Sequence, residues 1–281
     1  MQSFSAGKAL SDAFEIFKAR FVPMAILTVV YYAVLAVLFG TIGLTMLTPL
    51  LAGAATAEPA NPGALMASMG GGIILLYLVI YALNFWQQGA MCRLTSDRHD
   101  GSLGDAVSAG LHSILPLFGA AIIAFVVLFV GGLAVGLVAG IAGSESPALA
   151  FILGLAALVG AIFVALRFSM LLPAIAIEGI RNPLTAMGRS WAMTRGHVLK
   201  LFLVFLIVFG VMAVIGFTLV TLTIGGAAAG AGVPDTGAII AFGLAMLALG
   251  LSVGIYLMSV VGAIHRQLGG ESVTEVEATF A

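Results

Sequence analysis

The sequence predicts an all-α, polytopic membrane protein: six transmembrane helices as three hairpins, each preceded by an amphipathic interfacial helix on the cytoplasmic side. Three observations carry this. The chain is 62% apolar and only 8% charged, against about 25% charged residues in a soluble domain. Its eleven basic and twelve acidic side chains cannot clothe a water-soluble fold of 281 residues. Long stretches free of charge exceed the about 20 residues that cross the hydrocarbon, and every Lys and Arg falls on one side of the resulting map. A cytosolic enzyme, a secreted disulfide scaffold and a nucleic-acid binder are thereby excluded. The net charge of −1 provides no electrostatic footprint for nucleic acid, and a lone cysteine, Cys92, forms no internal disulfide.

The spans follow in order. The first covers roughly 22–48 and ends near Pro49, before a Pro- and Gly-rich loop at 49–69 that contains Glu58. The second covers 70–91 and the third 115–141. A turn at Gly143, Ser144, Glu145, Ser146 and Pro147 leads into the fourth, from 148 to Arg167 with a continuation toward Ile177. The fifth covers 199–223, a Gly/Ala loop with Asp235 follows, and the sixth covers 238–264. Residues 1–20 carry charges of both signs and the apolar run after them is too long for a signal peptide, so a retained first helix is expected. Residues 1–268 read as a single membrane domain and 269–281 as a short flexible cytoplasmic tail.

Orientation comes from the placement of charge. Lys8, Lys18 and Arg20 precede the first span; Arg93 and Arg98 follow the second; Arg167 and Arg181 end or follow the fourth. Arg189, Arg195 and Lys200 precede the fifth, and Arg266 follows the sixth. The opposite loops hold Glu58, Glu145 and Asp235 and no basic residue. The positive-inside rule then places both termini in the cytoplasm.

Three segments ahead of the hairpins resemble one another: 5–14, 102–111 and 182–191, with Ala9, Ala106 and Ala186 in register and Phe14, Leu111 and Trp191 after them. Repeat units of 4–91, 102–177 and 182–267 follow. Ser102 with Asp105 suits a capping box, and Asn182 before Pro183 suits an N-cap and first-turn pair. Apolar stripes such as Leu103, Val107, Leu111 and Ile114 suit helices lying at the headgroups. Pro23 and Pro116 are placed at the bends into two spans.

Few residues invite chemistry. Arg167 stands between two long uncharged stretches. It reads as a snorkelling interfacial arginine, as an anion or lipid-headgroup site, or as the partner of Glu178. Pro173 is expected to bend this segment back along the interface. Asn84, Trp86, Gln87 and Gln88 close the second span at headgroup level, with Asn84 read as an interhelical hydrogen bond ahead of a transport ligand. Gly132, Gly136 and Gly140, like Gly250 and Gly254, have the spacing of close helix packing, within the bundle ahead of a dimer. His99, His112, His197 and His265 match no zinc spacing, and the hydrolase, Walker and zinc-protease motifs are absent. No catalytic set, metal or cofactor is expected.

The segment from Arg167 through Pro173, Glu178, Ser190 and Trp191 to Gly196 resembles a bacterial family of polytopic proteins related to the membrane domain of glycerophosphoryl diester phosphodiesterases. The resemblance extends more loosely over all six spans. It implies a bacterial inner-membrane protein of poorly defined function. The phosphodiesterase activity of fused relatives resides in a soluble domain for which these 281 residues leave no room. The functional expectation is a non-enzymatic accessory or scaffold module in envelope or lipid homeostasis; the alternative is a transporter or lipid-handling protein for an amphiphilic or anionic substrate. Arg167, Glu178, Ser190, Trp191 and Asn84 form the expected headgroup or structural site. Membrane lipids are the expected partners, with a second copy or another membrane protein beside them.

Overall fold

A computed structural model describes residues 4–56, 62–97, 101–228 and 236–269. Its elements are all helical: α1 (Ala6–Thr56), α2 (Pro62–Leu94), α3 (Leu103–Glu145), α4 (Pro147–Arg167), α5 (Leu171–Ala176), α6 (Pro183–Met193), α7 (Val198–Ala228) and α8 (Thr236–Leu268). Six of them, α1–α4, α7 and α8, contain stretches long and apolar enough to cross a membrane. The protein is therefore a multi-pass, all-helical membrane protein. Glu58, His99, Asp235 and the tail beyond Gly269 lie outside the described residues.

The local signals explain the helix ends. Ser102 Oγ accepts the Asp105 amide at 3.1 Å and opens α3. Asn182 Oδ1 accepts the amides of Leu184 and Thr185, and Pro183 follows at the first helical position, where its missing N–H has no intrahelical role. Ser146 closes α3 by donating its amide to Ala142 and opens α4 through its hydroxyl, which accepts from Leu149. That single residue makes the turn expected at 143–147.

The expectation of separate interfacial helices needs correction for two of the three segments. The first two are not separate helices. They are the opening turns of α1 and α3, which run without interruption through Pro23 and Pro116. A proline removes one hydrogen bond from a helix and clashes with the carbonyl four residues back, which bends more often than it breaks. Only the third segment, α6, is free-standing. Its C-terminus is set by a turn at Thr194–His197 that contains Gly196 at φ +82°. Pro173 does coincide with a break: α4 stops at Arg167, and α5 restarts at Leu171 with Pro173 inside its first turn. A helix continued from α4 would have driven the Pro173 ring into the carbonyl of Ser169.

The third expected hairpin is also not a packed pair. α1 lies against α2, α7 and, most extensively, α8, whereas α7 rests on α1 and α4 and has no comparable contact with α8 among the described residues. α1 packs on α2 and α3 on α4, so the first two expected pairs are neighbours, and α2 packs on α3 as well. The short helices α5 and α6 plug the same end of the bundle, with α5 touching α2, α3, α6 and α8.

The buried core sits at that end. Ala9, Ala13, Met24, Leu94, Ala106, Met170, Ala174, Leu201, Val204, Ile255 and Ile264 are all within it. By contrast, residues 125–138 of α3 are exposed all around the helix, and Leu166 is the buried residue of α4. The outer halves of these helices present their side chains to the surroundings, as a lipid-facing helix must.

Close packing uses other glycines than those expected. A Cβ on Gly110 would stand 2.5 Å from the Trp86 carbonyl, and one on Gly89 would stand 2.8 Å from Ser113. These two positions let α2 and α3 approach. Gly132, Gly136, Gly140, Gly250 and Gly254 have no such neighbour. They sit in the outer halves or on open faces, so their spacing does not pack the bundle.

Candidate functional site

Arg167 ends α4 and its side chain turns onto α6. The guanidinium lies 4.8 Å from the centre of the Trp191 ring and 5.1 Å from that of Phe163, and its Nη1 donates to the Trp191 carbonyl at 3.3 Å. The two rings meet edge to face at 6.1 Å, and Phe168 adds a third ring 5.8 Å from Trp191. The backbone joins the same contact: the Arg167 carbonyl accepts from Ser190 Oγ at 2.8 Å and from Thr194 Oγ1 at 3.3 Å. Ser190 is fully buried and Trp191 is partly exposed. Arg167 Nε is buried without a hydrogen-bond partner, which leaves the aromatic faces as its main compensation. Arg167, Ser190 and Trp191 thus form one clamp between α4 and α6.

Glu178 belongs to a different lock. It follows α5 in a turn where Gly179 adopts φ +72°, a conformation costly for any residue with a Cβ. Its carboxylate accepts from Arg189 Nε at 2.8 Å and Nη2 at 3.0 Å, a two-pronged pair. Its Oε1 also lies 3.1 Å from Nε2 of His265, which is fully buried in α8. Glu178 is therefore not the partner of Arg167; among the described residues, Arg189 and His265 hold it. Burial pushes the Glu178 carboxyl upward, but the hydrogen bonds and positive charge supplied by Arg189 and His265 outweigh that and leave it below its usual value. The same pairing holds the Arg189 guanidinium above its own.

Two further arginines were not singled out by the sequence. Arg93, at the end of α2, pairs with Asp105 of α3 at 2.8 and 3.2 Å and donates Nη1 to the carbonyls of Ala176 and Ile177, each at 3.2 Å. It thereby satisfies carbonyls left open at the buried C-terminus of α5. Arg266 of α8 binds the Thr95 carbonyl and Asp97 beyond α2. The detectable signal was a basic residue just past a span with an acid within reach. Such pairs are common in sequence, and only proximity in space selects them.

Asn84 sits apart from all of these. Its Nδ2 donates to the Tyr31 hydroxyl at 3.4 Å, and its Oδ1 accepts from Gln88 Nε2. One turn away, Gln87 donates to Thr28 at 3.4 Å, and Thr28 donates to the Met24 carbonyl at 2.9 Å. This ladder joins α1 to α2. The expected site is thus divided in three: Arg167 with Ser190 and Trp191, Glu178 with Arg189 and His265, and Asn84 with Tyr31.

Among the described residues, two clefts stand out between the locks. The larger, about 440 Å³, is lined by Asp12, Glu15, Arg20, Asp97 and Arg266. The smaller, about 200 Å³, lies between α3 and the turn from α5 to α6, where Arg93, Asp105, Ser108, His112, Gly179 and Arg181 face it. Among the described residues, no three His, Cys, Asp or Glu side chains gather closely enough to hold a metal ion.

These features define a class: a polytopic membrane protein whose polar groups are gathered in a cross-linked layer at one end of an apolar bundle. Residues 101–268 match the family described as "Domain of unknown function (DUF7847)", and the chain belongs to that family. The match runs from the N-cap region of α3 to the last residue of α8. It includes Arg167, Glu178, Ser190 and Trp191, and leaves Asn84 outside. No curated protein matches the chain. No solved structure matches it either.

Proposed function

We propose that this chain is a non-enzymatic accessory or scaffold module of a bacterial inner membrane, acting in envelope or lipid homeostasis. The observation that carries the reading is the use made of the polar side chains: Arg93, Arg167, Glu178, Arg189 and Arg266 are spent on one another, on backbone carbonyls and on aromatic rings. Groups held in this way tie helices together and are not poised as acid, base or nucleophile toward a substrate. The charge asymmetry supports placing this layer, and both termini, in the cytoplasm. In this reading the opening turns of α1 and α3 lie with α6 at the headgroups, as the cytoplasmic part of the three sequence repeats. The resemblance of Arg167–Gly196 to the membrane domain of glycerophosphoryl diester phosphodiesterases supports the lipid setting.

The test is genetic and chemical together. Cells lacking the chain are expected to show an altered phospholipid profile that complementation restores, while the purified chain leaves glycerophosphodiesters intact. An unchanged profile overturns the homeostatic role, and hydrolysis above a detergent blank overturns the non-enzymatic one. The alternative, a transporter or lipid-handling protein, draws on the open outer halves of α3 and α4. Transbilayer movement of a fluorescent phospholipid in proteoliposomes would favour that alternative.

A further inference from the structure

We infer that the cleft between α3 and the α5–α6 turn is a binding site for the headgroup of an anionic phospholipid. Charge decides the class of ligand. Within the cleft, Asp105 is neutralised by Arg93, whose Nη1 is committed to the Ala176 and Ile177 carbonyls. The Glu178 carboxylate next to it is turned onto Arg189 and His265 and does not line the cleft. What remains is Arg181, exposed and without an ion pair or hydrogen bond among the described residues, and His112. The His112 ring has Nδ1 at 2.8 Å from the Ser108 carbonyl, so Nδ1 carries a proton and Nε2 is left for the cleft. When the ring is protonated, Nε2 donates alongside the Arg181 guanidinium. A planar guanidinium beside a second donor suits phosphate oxygens. The larger cleft has the opposite balance, three carboxylates to two arginines, and does not suit an anion.

Size and surroundings choose a lipid over a larger solute. About 200 Å³ is below the volume that encloses a drug-sized molecule, yet the cleft is open and its α3 wall continues into apolar surface. Leu111 and Leu115 are 58% and 82% exposed. α3 rises 1.5 Å per residue, so Leu115 stands about 4.5 Å farther along α3, toward the bilayer interior, than His112. A phosphate at Arg181 and His112 would leave its acyl chains against Leu115 and the bare face of α3 beyond it. The assignment rests on the headgroup-level placement of α3 and α6 proposed above.

The experiment uses the purified full chain in a neutral detergent, with melting temperature read against added short-chain phosphatidylglycerol, phosphatidylcholine or inorganic phosphate. The expected result is a stabilisation that saturates with phosphatidylglycerol and is weaker with the other two. Arg181→Ala and His112→Ala are each expected to weaken the apparent affinity about fivefold, the loss of one cation near an anionic lipid. Arg181→Lys, which keeps the charge but not the planar fork, is expected to fall between wild type and Arg181→Ala, and Leu115→Asn to weaken the lipid response alone. Arg195→Ala removes the same charge from another exposed position and is expected to change nothing. An equal response to phosphatidylcholine, or equal weakening by Arg195→Ala, overturns the site as diffuse binding. An equal response to inorganic phosphate overturns the lipid and leaves a free-anion site. Because the assay reads affinity in micelles, its failure is separate from a failure of the cellular role.

Discussion

Arg167 and Glu178 are both charged residues at the edge of an apolar segment, yet they are stabilised by different physics. Arg167 gives up hydration for two aromatic faces, a contribution of about 1 kcal/mol when partly exposed and more when desolvated. Glu178 gives it up for the Arg189 guanidinium and a hydrogen bond to His265, and its carboxyl is held below the ordinary value as a result. A lowered carboxyl pKa adds stability that is complete above the unfolded value, about 4.3 for Glu, and is lost as pH falls through the folded value below it. Glu178→Gln should therefore lower the melting temperature at pH 7 and have progressively less effect on acidification below about pH 4. Thermal melts of both proteins across that range check it; a gap that persists at low pH would show that the carboxylate charge is not what Glu178 contributes. The sequence marked Glu178 and offered Arg167 as a partner, where the structure supplies Arg189 and His265. Arg189 is 11 residues away and His265 is 87, and no local spacing rule reaches that far.

At the scale of elements, α2 and α3 are brought together by glycines on their inner faces, and this contact is separable from the small-residue spacing farther out. A Cβ at Gly110 meets a backbone carbonyl that has nowhere to move, whereas one at Gly136 meets nothing within 4 Å. Gly110→Ala should cost about 1–3 kcal/mol, the usual penalty for overpacking. Gly136→Ala should be neutral or slightly stabilising, because alanine favours a helix. Melting temperatures of the two variants in one detergent check both statements, and a reversed order would mean that α3 packs through its outer glycines. The helix ends were the more legible part. Ser102, Asn182–Pro183 and the 143–147 turn have local chemistry that acts within four residues. Pro116 was less legible, since whether a proline bends or ends a helix depends on what packs beside it.

For the whole molecule, the consequential feature is that α1 lies between α7 and α8. Consecutive apolar helices joined by a short loop are expected to pair, and among the described residues α7 and α8 have no contact comparable to that of α1 with α8. The Phe17 and Tyr256 rings meet edge to face at 6.0 Å and mark the α1–α8 contact near the basic end. In a Cys92→Ala background, Phe17→Cys with Tyr256→Cys should be joined efficiently by a short bifunctional maleimide in native membranes. A cysteine pair at Phe205 and Tyr256, on α7 and α8, should not. Efficient joining of the second pair and not the first would restore the hairpin.

By itself the sequence determined that this is a helical membrane protein, how many apolar helices it has, and which ends carry the positive charge. Those properties are set by composition and by the cost of placing charge in hydrocarbon, and both are additive along the chain. Tertiary structure alone decided which helices touch, that two of the three amphipathic segments continue into spans, and that the candidate residues fall into three separate contacts. In lipid every apolar face is equally acceptable to the solvent, so hydropathy does not choose neighbours. That choice falls to shape, as at Gly89 and Gly110, and to a few polar contacts whose partners lie far apart in the chain.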